Sequence, residues 1–358
     1  MSRISVKARI AGTLAAAAAL GAVGVGTAQA ATTPAITNDG GRSAIAIETP
    51  NHSLKVYLKT GGGWQTLNVA GKNTTYSAPS IAQDGSSLVI AAEGPNNSLK
   101  YYYQAGPLWL PQTVAGKNTT FSAPSIAIVG TKPAIAAEGK NDTLRYYHQV
   151  GLAWPGQTVP GATVVSTPSV TELGSRVLVA VESLTGDLDV YSRIGNGPWT
   201  GQFLGATSAA PSITTANGLA SVAANNSGAL DLYSTSTGTF GTAYQITPAG
   251  TVGAPSISVN TGVFPNRINI ASQLEFLGKI LVVDWYYPLG TLQPWKLELV
   301  ANVNTFTSAP SASFNNTGNT VALAGTPTGG GSSLGFFQEA NGTTTWAGQT
   351  VPGAVVGS

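Results

Sequence analysis

The chain has no cysteine, two histidines and a single methionine among its 358 residues. Without cysteine it forms no disulfide and no thiolate metal site, so its stability has to come from core packing and hydrogen bonds. The two histidines, His52 and His148, are too few for a three-histidine zinc centre. A Ser-His-acid triad would have to recruit one of these two isolated residues, which stand at different places in the repeat described below. No catalytic residue, metal or cofactor is therefore assigned. Charge is scarce too, at 9% of residues. Three of the 17 basic residues, Arg3, Lys7 and Arg9, precede every acid. With residues 1–30 set aside, 14 basic residues face 15 acidic ones, a net charge of −1. That balance gives no electrostatic footprint for nucleic acid or an anionic membrane.

What is present begins with an export pattern. After the three basic residues comes an apolar Ala/Gly/Leu/Val stretch from Ile10, and then Ala28-Gln29-Ala30 ahead of Ala31. Small residues at that spacing mark a signal-peptide cleavage site, and the apolar stretch is short and broken by glycine for a membrane span. The expectation is a secretory signal peptide over 1–30, no membrane span, and an extracellular chain over 31–358.

The rest is periodic. A proline in an Ala/Thr-Pro-Ser/Ala context recurs at Pro34, Pro79, Pro124, Pro168, Pro211, Pro255 and Pro310, at intervals of 45, 45, 44, 43, 44 and 55 residues. Helical periodicity is missing between them. Each interval holds short apolar runs separated by Gly, Asn, Pro and Ser clusters, the turn residues of hairpins. In the second copy these are Ser80-Ile81, Ile90-Ala91-Ala92-Glu93-Gly94, Leu99-Lys100-Tyr101-Tyr102 and Gln112-Thr113-Val114, and the third copy repeats nearly every element. The third run, Leu or Val, any residue, an apolar residue, then Tyr or Phe, occurs seven times: at 54, 99, 144, 188, 230, 283 and 334. An aromatic follows each one, as Trp64, Trp109, Trp154, Trp199, Phe240, Trp295 and Trp346. Four strands per repeat and seven repeats of this length predict an all-β, seven-bladed β-propeller of four-stranded antiparallel blades.

Two details of the ring follow. No spare strand precedes Pro34, so Trp346 to Gly353 is expected to serve as the last blade's own fourth strand. The excess of about ten residues between Pro255 and Pro310 falls within Gly262 to Lys279, which predicts a longer second strand or a protruding loop after it.

Candidate functional residues are those in phase with the repeat. Glu48, Glu93, Glu138 and Glu182 each stand 14 residues after their blade's proline, with Asn225 at that place in blade five. They are either acceptors for a polyhydroxylated ligand or acceptors for backbone N–H groups of their own hairpins or of the next blade. A glycosidase needs two carboxylates in unlike environments, whereas fourfold repetition implies equivalent roles. Trp64, Trp109, Trp154, Trp199, Trp295 and Trp346 are either filler between blades or platforms on which a sugar stacks in the clefts. The second residue of the third run is Lys55, Lys100 and Arg145 in blades one to three and Asp189, Asp231 and Asp284 in blades four to six, which predicts a lateral charge asymmetry.

Gly94-Pro95-Asn96-Asn97-Ser98-Leu99 and Gly139-Lys140-Asn141-Asp142-Thr143-Leu144, each followed by an aromatic strand and a tryptophan, resemble the Gly-x-Asp/Asn-x-x-Leu hairpin of seven-bladed bacterial fucose-binding lectins and their tectonin-like relatives. Blade one has Thr49 in place of the glycine. The resemblance implies multivalent carbohydrate binding in clefts between blades, with glycans as partners, and the equivalence of the repeated carboxylates favours binding over catalysis. A polysaccharide-acting hydrolase or lyase, and a protein-interaction scaffold, are the alternatives on the same fold.

Overall fold

The computed structural model describes residues 32–260, 267–276, 279–288, 295–302, 308–315, 318–325, 332–339 and 345–357. The expected leader, 1–30, lies outside them. The strands, numbered β1–β28 in chain order, form seven sheets of four consecutive antiparallel strands. These blades span residues 35–70, 80–115, 125–163, 169–206, 212–247, 251–302 and 311–356. Among the described residues the helical content is a single 3-10 turn at Lys140–Asp142. The innermost strands touch one another around a closed ring. The predicted seven-bladed propeller is the architecture.

Burial explains the run of residues in each strand. β6 (Ser87–Gly94) is a nearly unbroken buried stretch, because neighbouring blades cover both faces of the sheet, and a strand covered on both faces needs no polar alternation. The outermost strand β8 (Leu108–Ala115) is largely exposed or half-buried. The core is accordingly divided into clusters that sit at the junctions. One joins Ile45, Ile47 and Tyr57 of blade one to Leu334, Phe336 and Val351 of blade seven, and six others repeat the arrangement around the ring. His52, Asn96, Asn97, Asn141 and Asp142, in the turns between second and third strands, have positive φ, a conformation Asn and Asp adopt more readily than other residues with a Cβ.

The serine after each proline has a role that spacing did not reveal. Ser80 Oγ accepts the N–H of Ile126 in the next blade at 3.1 Å, and Ser125, Ser169, Ser212 and Ser256 do the same for Val170, Ile213, Ile257 and Ala312. Ser311 closes the belt onto Ile36 at 3.2 Å. Blade one has Ala35 at this place, so the link from blade one to blade two is missing.

Ring closure follows the expected pattern. β28 (Trp346–Val356) pairs with β27 (Ser332–Glu339) of its own blade, and among the described residues no strand is exchanged with blade one. The Gly357 N–H then bonds to the Glu48 carbonyl at 2.8 Å. In blade six, β22 (Arg267–Phe276) and β23 (Lys279–Pro288) are each ten residues long and pair through Phe276 opposite Lys279. The additional chain thus lengthens a hairpin by continuing its ladder, which satisfies the backbone groups a protruding loop would leave to solvent. Residues 262–266 and 277–278, within the span expected to hold the excess, lie outside the described residues.

Candidate functional site

The four glutamates occupy one register. Glu48, Glu93, Glu138 and Glu182 each pair with the leucine that opens the third strand, Leu54, Leu99, Leu144 and Leu188. The same register holds Asn225, Ser272 and Ala324 in blades five to seven. Glu48 is 2% exposed and pairs with Nδ1 of His52 at 2.6 Å, while Glu93 Oε1 accepts from Asn97 Nδ2 at 2.9 Å. Both donors are side chains four residues on in the turn, not the backbone N–H groups expected from sequence. Asn225 alone of the five follows that expectation, accepting the Gly228 N–H at 2.8 Å.

Burial pushes the Glu93 carboxyl up to about 7, with the Asn97 bond opposing and the Glu48 and Glu138 charges adding to the rise. Burial likewise raises Glu48 against the pull of His52, and burial with the nearby Asp142 raises Glu138. The three acids are shifted in the same direction by the same cause. An acid and nucleophile pair needs environments that separate the two pKa values.

These acids mark where the chain steps from blade to blade. The N–H groups of Tyr76, Phe121 and Val165 bond to the carbonyls of Glu93, Glu138 and Glu182 in the following blade, at 2.9, 3.0 and 3.1 Å. All three side chains are exposed, and Tyr76 stacks on His52 with centroids 4.5 Å apart. Each of the first three junctions therefore sets an exposed apolar side chain beside an acid of the next blade. Sequence reading missed this set, although its members share a signal: each stands three residues before a repeat proline.

The tryptophans lie elsewhere. Trp64 and Trp109 pair with Lys59 and Gln104, five residues along the third strand from the leucine opposite the glutamate. Five extended residues span about 17 Å. The two candidate sets therefore sit at opposite ends of the blades, and the structure does not bring Glu and Trp of these sets into one site. Each of the six tryptophans is half-buried, and the described contacts of five reach the preceding blade. Trp154 packs on Tyr101 at 4.8 Å and donates its Nε1–H to Gln112 Oε1 at 2.9 Å. Trp199 packs on Tyr146 at 5.2 Å and donates to Gln157 at 3.3 Å. Trp64 meets Phe336 of blade seven edge-on, Trp295 lies near Tyr244, and Trp346 donates to Glu298 Oε2 at 3.0 Å. Trp109 packs into the cluster that contains Leu54 and Tyr102. Phe240, the substitute in blade five, is held by two bonds between its backbone and the Gln202 side chain.

His52 belongs to the glutamate end, and His148 lies between blades three and four, held below the ordinary histidine range by burial and by Arg193. Among the described residues no group of three potential ligands could hold a metal ion, and no helix is long and apolar enough to cross a membrane.

No protein-family model matches the chain, and no curated protein matches its sequence. Solved structures do. A lectin from Burkholderia pseudomallei, BP39L, superposes with a TM-score of 0.72 at 16% identity over 92% of this chain and 99% of that one. The protein AofleA from Arthrobotrys oligospora gives 0.54 at 15% identity over 88% and 96%. A fucose-specific lectin from Aleuria aurantia, a six-bladed propeller, gives 0.52 at 15% identity over 84% and 100%. At these identities the likeness is one of fold, and at that level the resemblance read from the hairpins holds.

Proposed function

We propose that this protein is secreted and binds carbohydrate through several equivalent sites between blades, without catalysing a reaction on it. The observation that carries the reading is a half-buried tryptophan at three of the junctions, Trp154, Trp199 and Trp346, whose N–H is fixed by a side chain of the preceding blade. A fixed aromatic plane with polar neighbours is what a sugar ring requires, since one of its faces is apolar and its rim is hydroxylated. The solved lectins of similar fold support the reading, among them one described as fucose-specific. Repetition would make weak single sites effective by avidity. The carboxylate set at the opposite end is assigned to the turns, as the His52 and Asn97 bonds suggest. The basic, Gly-broken apolar segment before Ala31 supports export.

A glycan array probed with the protein tests the reading, and retention of no glycan would sink it. Trp109→Ala should then remove one site among several, lowering avidity while leaving single-site affinity elsewhere unchanged. Glu93→Ala should retain glycan binding and lose about 1–3 kcal/mol of stability. A Glu93→Ala protein that melts normally and loses its glycan would move the carboxylates into the site.

A further inference from the structure

The junction between blades three and four holds a buried cation that forms no ion pair among the described residues. Arg193, five residues after Leu188 in β15 (Asp187–Ile194), is 8% exposed. Its guanidinium lies over two rings, 4.8 Å from the centroid of Tyr146 in blade three and 5.1 Å from that of Trp199 in its own blade. The described ion pairs are Arg42 with Asp39, His52 with Glu48, and Arg267 with Glu339. Arg193 is in none of them. Its Nε is buried and without a hydrogen-bond partner, as is Nε2 of His148 at the same junction. Glu172, whose charge reaches Tyr146 and His148, has one carboxylate oxygen bonded to the Gly130 N–H at 2.7 Å.

The molecule contains its own comparison. Between blades six and seven another guanidinium, Arg267, lies over an aromatic ring, 4.5 Å from the centroid of Tyr286. There the protein supplies the anion. Glu339 pairs with Arg267 and also accepts from Asn319 Nδ2, and it stands five residues after Leu334, the place Arg193 holds in blade four. In blade three the counterpart of Arg267 is Pro133, whose carbonyl accepts the Gln149 N–H and whose ring offers no acceptor. Between blades seven and one the equivalent cation is Lys59, over Trp64 and Phe336, but it is half-buried and can remain hydrated. A stacked, desolvated guanidinium presents a planar fork suited to a carboxylate, and a buried charge without a partner is the costly case.

We propose that this junction binds the carboxylate of an acidic saccharide, a uronic acid, with Arg193 as its ion-pair partner between Tyr146 and Trp199. The inference rests on the glycan-binding reading and narrows it to one ligand class at one junction. It differs from the repeated sites because the charged group occurs in this form at a single junction among the described residues.

The test titrates the full chain with sodium D-glucuronate, its methyl ester, D-glucose and sodium sulfate, followed by calorimetry. Glucuronate should bind saturably, the neutral ester and glucose at least about tenfold more weakly. Arg193→Gln should weaken glucuronate binding by about tenfold to a hundredfold, with partial recovery in Arg193→Lys and no change in Lys59→Gln. Equal binding of acid and ester, equal binding of sulfate and glucuronate, or no glucuronate binding would each overturn the proposal, and the ester and sulfate arms hold even if the Arg193 variants do not fold. Failure here with neutral glycans still retained on the array defeats only the acidic-saccharide site; an array that retains nothing defeats the reading beneath it.

Discussion

Blades one to three and blades five and six carry charge at the same strand positions and use it differently. In the first group an acid ends the second strand and a base stands second in the third strand. Lys100 and Arg145 reach along the sheet to the outer-strand hydroxyls of Thr113 and Thr158, in exposed contacts, and Gly94 is glycine because a Cβ there would fall 2.6 Å from Lys100 Cγ. In the second group the register position of those glutamates is neutral, Asn225 and Ser272, and the acid is inside. Asp231 and Asp284 are buried, and Asp284 accepts from Asn269 Nδ2 at 2.6 Å. The lateral asymmetry expected from sequence is real in the order of residues. At the surface it appears on the basic side, because two of its three acids are withdrawn from solvent. One position in a repeat thus serves as a solvated strut in one arc of the ring and a buried polar tie in another.

That difference can be broken by substitution. Asp284→Ala should destabilise by about 2–4 kcal/mol, since it strands the Asn269 donor and leaves a void. Lys100→Ala, at the same strand position, should stay within about 0.5 kcal/mol. Urea midpoints at constant m-value measure both, and similar losses would mean that the two positions are not the contrast described.

The pH dependence sharpens it. Burial raises both the Glu93 and the Asp284 carboxyls to about 7, above their ordinary values of 4.5 and 3.8. A raised carboxyl stabilises the fold in its protonated form, so this contribution is complete below the unfolded value and is lost as pH rises through about 7. Melting temperature should fall between pH 5 and pH 8. Asp284→Asn should flatten the slope more than Glu93→Gln, because Glu93 is half-exposed and its shift is screened. A slope unchanged in both variants would place its origin elsewhere.

A smaller effect separates blade one from the others. Ser125→Ala should lose about 1 kcal/mol by removing one link of the inner belt. Ala35→Ser should gain up to about 1 kcal/mol by supplying the link to blade two that is missing. Equal and negligible changes at both sites would show that the belt follows from closure and does not support it.

The period of the prolines, the seven third-strand motifs and the phase of the glutamates were enough to fix blade number, strand order and the register in which Glu48, Glu93, Glu138 and Glu182 lie. They suffice because each blade is built from local hairpins, whose pairing is set by turn residues and by runs of apolar side chains. What passes between blades was not legible. The serine belt, the exposed Tyr76, Phe121 and Val165 beside the next blade's acids, and the tryptophans' bonds to the preceding blade join residues of different blades with no pairing rule to connect them. Nor could the sequence show that the glutamates and tryptophans stand at opposite ends of the third strand, or that Arg193 is buried without an ion pair among the described residues while Arg267 has Glu339. Those facts depend on which side chains meet when seven separate sheets close into a ring, and only the tertiary structure decides that.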